Sequence, residues 1–131
     1  MSYVNRIADG LVGASLEAIG AVVIEGPKAC GKTETARQHA ASEVLLDLDA
    51  EAQRAAAIDP RLVLPGAVPR LVDEWQREPR IWDAVRREVD ARHSPGQFIL
   101  TGSATPQDGT IRHSGAGRMA IVAMRPMTLF E

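Results

Sequence analysis

The octapeptide Gly26-Pro27-Lys28-Ala29-Cys30-Gly31-Lys32-Thr33 sets four residues between two glycines and follows the second with a lysine and a threonine. This is the G-x-x-x-x-G-K-[ST] pattern, and each fixed position suits a polyphosphate. Glycines let the backbone take positive φ and bring its N–H groups close to phosphate oxygens, while a helix beginning there adds partial positive charge. Lys32 would reach the β and γ phosphates, and the Thr33 hydroxyl would ligate magnesium, a hard ion that prefers oxygen. A chance match in a chain of this length is expected at roughly a few per thousand, given glycine's ordinary abundance. Cys30 lies beside a helix start and a lysine, a setting that lowers a thiol pKa, and it is also small enough to serve the loop simply as a compact residue.

A second group of residues complements the first. Leu71-Val72-Asp73-Glu74 reads as a strand end bearing two acids, of which Asp73 would hold magnesium and Glu74 would accept a proton from, or orient, an attacking water. Asp47 and Asp49 compete for the metal, but Leu48 separates them and they follow the loop too closely, so they read as strand-end acids. In Thr101-Gly102-Ser103 either hydroxyl can orient the water from the carboxyl edge of a sheet, and a hydroxyl-capped turn accounts for them as well. Arg112, His113, Arg118 and Arg125 form a stretch without nearby acids, suited to phosphate charge or a partner, with Arg118 best placed just before a strand. His39, His93 and His113 lack metal-ligand spacing, and neither Ser103 nor Cys30 has a recognisable hydrolase partner.

The elements that must position these groups alternate between helical patterns and short apolar runs, which predicts an α/β fold. Helix is expected over Tyr3–Ile19 with Ile7, Leu11, Ala14 and Ala18 on one face, then a doubly buried strand at Ala21–Ile24 ending by Glu25. Further helices are predicted over Lys32–Ala41, Ala50–Ala57 and from Pro79 to about Ser94, the last carrying Trp82, Val85 and Val89 inward. Strands are predicted at Val44–Leu48, Val68–Val72, Phe98–Thr101 and Met119–Met124, with loop over Arg61–Gly66 and turn residues over Gly102–Gly117. Five strands with helical crossovers make a three-layer sandwich around a mostly parallel sheet.

The 131 residues, 45% hydrophobic and 24% charged, suit one globular core over residues 1–131. A net charge of −2 gives no general attraction to nucleic acid. The lone cysteine and the absence of a leader or a long apolar run place the chain in the cytoplasm and off the membrane.

Taken together, "AVVIEGPKACGKTETARQ", "LVDEWQREPRIWDAVRREVD", "FILTGSA" and "GAGRMAIVAMRPMTLFE" resemble a family of prokaryotic AAA+-type P-loop ATPases that carry a C-terminal domain of unknown function. The resemblance covers nearly the whole chain. It implies ATP and Mg2+ as ligands, Gly26–Thr33 as Walker A, Asp73-Glu74 as Walker B, Ser103 rather than Thr101 in the sensor-one role, and Arg118 as an arginine finger acting across a homo-oligomer. It also implies that this is the N-terminal ATPase core, truncated, with the lid and C-terminal domain missing, and that Pro69 and Arg70 break the usual apolar Walker B strand. Three functions follow for test: ATP hydrolysis, ATP binding or partner interaction without turnover, and phosphoryl transfer to a small molecule.

Overall fold

The structure, a computed structural model, describes residues 3–27, 31–103 and 119–124. In chain order the elements are α1 (Tyr3–Ala18), β1 (Ala21–Glu25), α2 (Lys32–His39), β2 (Ser42–Leu45), α3 (Ala50–Ile58), β3 (Arg70–Asp73), α4 (Ile81–Arg92), β4 (Phe98–Gly102) and β5 (Met119–Ala123). One-turn 3-10 helices occupy Pro60–Val63 and Trp75–Arg77.

The strands form one sheet in the order β2-β3-β4-β1-β5, and every pairing is parallel. A parallel sheet needs both faces covered, which is why its strands read as unbroken apolar runs. In β1 the side chains of Ala21 and Val23 enter one core and those of Val22 and Ile24 the other. The first core gathers Val44, Val72, Phe98 and Leu100 against Ala56 of α3 and Ile81, Val85 and Val89 of α4. The second packs Leu71, Ile99 and Val122 against Val12 and Leu16 of α1 and Ala36 of α2. The α/β three-layer expectation therefore holds, with the sheet wholly parallel.

Several boundaries and faces differ from the sequence reading. The buried stripe of α1 is Val12 and Leu16, while Leu11, Ala14 and Ala18 face solvent and the Ile7 side chain lies outside the described residues. Gly13 is the reason: a β-carbon there would touch the His39 ring at 3.3 Å, so α2 approaches α1 along the small side of the helix. β2 covers Ser42–Leu45 rather than Val44–Leu48, because the chain turns at once, with Leu48 N–H and Asp49 N–H both donating to Leu45 O. Leu46 stays in the core and Leu48 is exposed. β3 begins at Arg70, so Pro69 sits just ahead of the ladder and costs it no donor. Arg70 Nε donates to Val63 O at 2.8 Å and its Nη1 donates to Ser42 Oγ at 3.2 Å, while burial pushes the guanidinium pKa down. In α4 the buried series is Ile81, Val85, Val89, and the half-buried Trp82 packs at the edge of that core against Trp75, ring centroids 5.2 Å apart and planes tilted by 43°.

The expected loop over Arg61–Gly66 contains the Pro60–Val63 turn, whose Val63 and Leu64 are buried. Asp59 caps it: the Arg61 guanidinium foremost, and the Arg61 N–H, hold its carboxyl down at about 2. A carboxyl lowered on folding stabilises above its ordinary value of 3.8 and loses that contribution as pH falls through about 2. Urea unfolding of wild type and Asp59→Asn should therefore differ at pH 5 and converge between pH 4 and 2. The gap should be small, because the pair is solvent-exposed, and a gap that widens with acid would contradict the capping account.

Candidate functional site

β1 delivers the chain to the carboxyl edge of the sheet between β4 and β5: Gly26 N–H donates to Gly102 O at 3.3 Å, and Met124 N–H donates to Glu25 O at 2.7 Å. Of the glycine-rich octapeptide, Gly26, Pro27 and Gly31–Thr33 are described, and Lys28, Ala29 and Cys30 lie outside the described residues. Gly31 takes φ 86° and ψ 16°, left-handed angles that strain any side chain, and its carbonyl accepts Thr35 N–H at 3.0 Å to start α2. The first N–H groups of α2 have no partner within the helix and carry the positive end of its dipole. Lys32 opens the helix, only 6% exposed.

Opposite it stands the end of β3. Asp73 is 8% exposed, and its Oδ1 accepts from Thr33 Oγ1 at 2.9 Å and from Thr101 Oγ1 at 2.5 Å. A buried carboxylate needs such donors, since an unsatisfied one is costly. Glu74 follows with φ 57° and ψ 52°, a left-handed conformation that costs a residue with a side chain on the order of 1–3 kcal/mol and occurs where surrounding structure enforces it, often at active sites. Its N–H donates to Thr101 Oγ1 at 3.1 Å, and its Oε1 lies 3.8 Å from Lys32 Nζ. Thr33 and Asp73 are forty residues apart in sequence and meet here.

These residues lie within a stretch that is matched, over residues 19–131, by the family model described as AAA domain. The chain belongs to the AAA domain family. Its relatives include an uncharacterized protein of Mycobacterium tuberculosis (strain ATCC 25618 / H37Rv) and one of Mycobacterium bovis (strain ATCC BAA-935 / AF2122/97). Each is 32% identical over 112 residues, covering 82% of this chain. The chain spans 25% of the length of these curated relatives. The AAA domain fold, an α/β arrangement on a five-stranded parallel sheet, is thus shared, and it places the chain among P-loop ATPase-like domains.

Within this AAA domain the fold brings Lys32, Thr33, Asp73, Glu74 and Thr101 into one cluster drawn from α2, β3 and β4. Ser103 joins through its backbone, whose N–H donates to Gln76 Oε1 at 2.9 Å, and its Oγ is buried with no hydrogen-bond partner among the described residues. The competing acids are occupied elsewhere: Asp47 pairs with Arg77, and Asp49 caps α3 by accepting Ala52 N–H at 3.1 Å. His39 meets Asp9 at 2.6 Å, tying α2 to α1. Arg112, His113, Arg118 and Arg125 lie outside the described residues.

The donor set suits magnesium, because Thr33 and Asp73 present hard oxygens side by side. No helix among the described residues is long and apolar enough to cross a membrane. The sequence reading missed Gln76, which carries no local motif and meets Ser103, 27 residues away.

Proposed function

We propose that this AAA domain binds ATP with magnesium and hydrolyses it to ADP and phosphate. The contact that carries the reading is Thr33 Oγ1 on Asp73 Oδ1, which joins the end of the glycine-rich loop to the acid at the tip of β3. Family membership and the left-handed Gly31 and Glu74 support it.

In this reading Gly26, Pro27, Lys28, Ala29, Cys30 and Gly31 form the Walker A loop whose N–H groups receive the phosphates, together with Lys32 and Thr33. Lys32 leaves Glu74 and binds the β and γ phosphate oxygens. Thr33 and Asp73 hold magnesium, which when bound neutralises charge on the terminal phosphates. Glu74 accepts a proton from water as its oxygen bonds to the γ phosphorus and the bond to the β-bridging oxygen breaks, leaving ADP. Ser103 directs its buried hydroxyl toward the γ phosphate, and Arg118 completes the charge on that phosphate from a neighbouring copy.

The test uses Trp82→Phe, which leaves Trp75, beside the carboxylates, as the one tryptophan. Mg-ATP should change its emission and raise the melting temperature, with phosphate released only when magnesium is present. Folded protein that shows neither response at millimolar Mg-ATP would sink the reading. Binding without phosphate release would leave a nucleotide-holding module.

A further inference from the structure

We propose that Thr101 and Gln76 are positioning residues, a reciprocal clamp that sets Asp73 and Glu74 of β3 against Ser103 of β4. The proposal rests on the ATP reading above. Its starting point is where the sheet stops: the β3–β4 register runs Arg70 with Phe98, Leu71 with Ile99 and Val72 with Leu100, and goes no further. Asp73 to Gln76 and Thr101 to Ser103 therefore lie beyond the β3–β4 ladder that would otherwise fix their spacing to each other, while Asp73 still pairs with Leu45 of β2 and Thr101 and Gly102 with Ile24 and Glu25 of β1.

Two side chains take over from that ladder, one from each strand. Thr101 Oγ1, fully buried, accepts Glu74 N–H at 3.1 Å and donates its only proton to Asp73 Oδ1 at 2.5 Å. Gln76 Oε1 accepts Ser103 N–H at 2.9 Å in return. Between them Trp75 lies against Gly102, where a β-carbon would stand 2.8 Å from Trp75 Nε1 and 2.9 Å from Gln76 Oε1, so glycine is required for the close approach. A hydroxyl has one proton to give. With it committed to Asp73, Thr101 has none for water or phosphate, and its part is to hold one acid by its oxygen and the next by its backbone. The left-handed Glu74 is the conformation that this grip maintains.

Substitutions at Thr101 and Gln76 should lower kcat for ATP with little change in KM, because neither side chain belongs to the glycine-rich loop. Thr101→Val keeps the shape and removes the hydroxyl, so kcat should fall about tenfold or more while KM stays within about twofold. Thr101→Ser, which restores the hydroxyl, should recover most of kcat. Gln76→Leu should behave like Thr101→Val, and Gln76→Glu, which keeps an acceptor oxygen, should recover.

ADP titrations by calorimetry with and without magnesium give a second readout, in which Thr101→Val should bind ADP within about twofold of wild type in both conditions, so that the loss falls on turnover alone. If Thr101→Val does not fold, the Gln76 pair decides alone. Wild-type kcat in Thr101→Val or Gln76→Leu overturns the clamp. So does a parallel fall of kcat, metal-free ADP affinity and melting temperature that the serine and glutamate variants fail to rescue. Wild-type protein that binds no nucleotide overturns the ATP reading itself, and the two failures are thereby distinguished.

Discussion

Lys32→Ala should weaken ATP and ADP binding by roughly a hundredfold or more while leaving the unliganded fold intact. Charge-assisted hydrogen bonds contribute about 1.5–3 kcal/mol each, and an ammonium can make more than one to phosphate oxygens, which multiplies to that loss. Lys32 is nearly buried at the start of α2, so the alanine variant has no replacement charge from the same position. Stability should change little, because the partner left behind, Glu74, is 21% exposed and can be hydrated. Calorimetric titration with ADP and a melting curve without nucleotide measure the two effects separately. Wild-type affinity in this variant would remove Lys32 from the phosphate site.

Glu74→Gln should act in the opposite direction on binding and more severely on turnover. With Glu74 as the proposed proton acceptor, its loss should cut the rate of phosphate release by about a hundredfold to ten-thousandfold, the usual contribution of a positioned general base. ADP should bind the variant somewhat more tightly than wild type. In the structure Lys32 Nζ sits 3.8 Å from Glu74 Oε1, so nucleotide must draw the ammonium away from a carboxylate, and glutamine removes that competitor. A partly exposed ion pair contributes no more than about 1 kcal/mol, which sets the gain at a few-fold. Using ADP keeps the binding measurement free of hydrolysis. Weaker ADP binding in Glu74→Gln would show that the contact does not oppose nucleotide, and unchanged turnover would show that Glu74 is not the base.

The glycine-rich octapeptide and the apolar run before it were legible because each rests on local chemistry: β-branched residues for a strand covered on both faces, and glycine where φ is positive. The acids at Asp73 and Glu74 were legible as a strand end, although their distance to Thr33 was not, since nothing in a linear pattern says that β3 lies two places from β1 in the sheet. The face of α1 was misread because Leu11 is apolar yet outward, a choice made by how closely α2 can approach Gly13. Leu48 was misread for a similar reason, being drawn out of the apolar run by a turn anchored on Leu45 O. Thr101 and Ser103 could not be told apart by type. Only the direction of their hydrogen bonds separates them, one hydroxyl spent on Asp73 and the other without a partner among the described residues.

Because all five strands run the same way, the two rims of the sheet have different freedoms. The rim that receives β1, β3 and β4 at their carboxyl ends carries the charged cluster, and there a change of one side chain disturbs several others. The far rim is closed by backbone contacts such as Gly96 N–H and Gln97 N–H to the Ile19 and Gly20 carbonyls, and by Ala41 N–H to Pro69 O. Arg70 and Ser42 tie that rim together as well, and their contacts share no residue with the charged cluster, so a substitution there leaves the hydrogen bonds of the opposite rim in place.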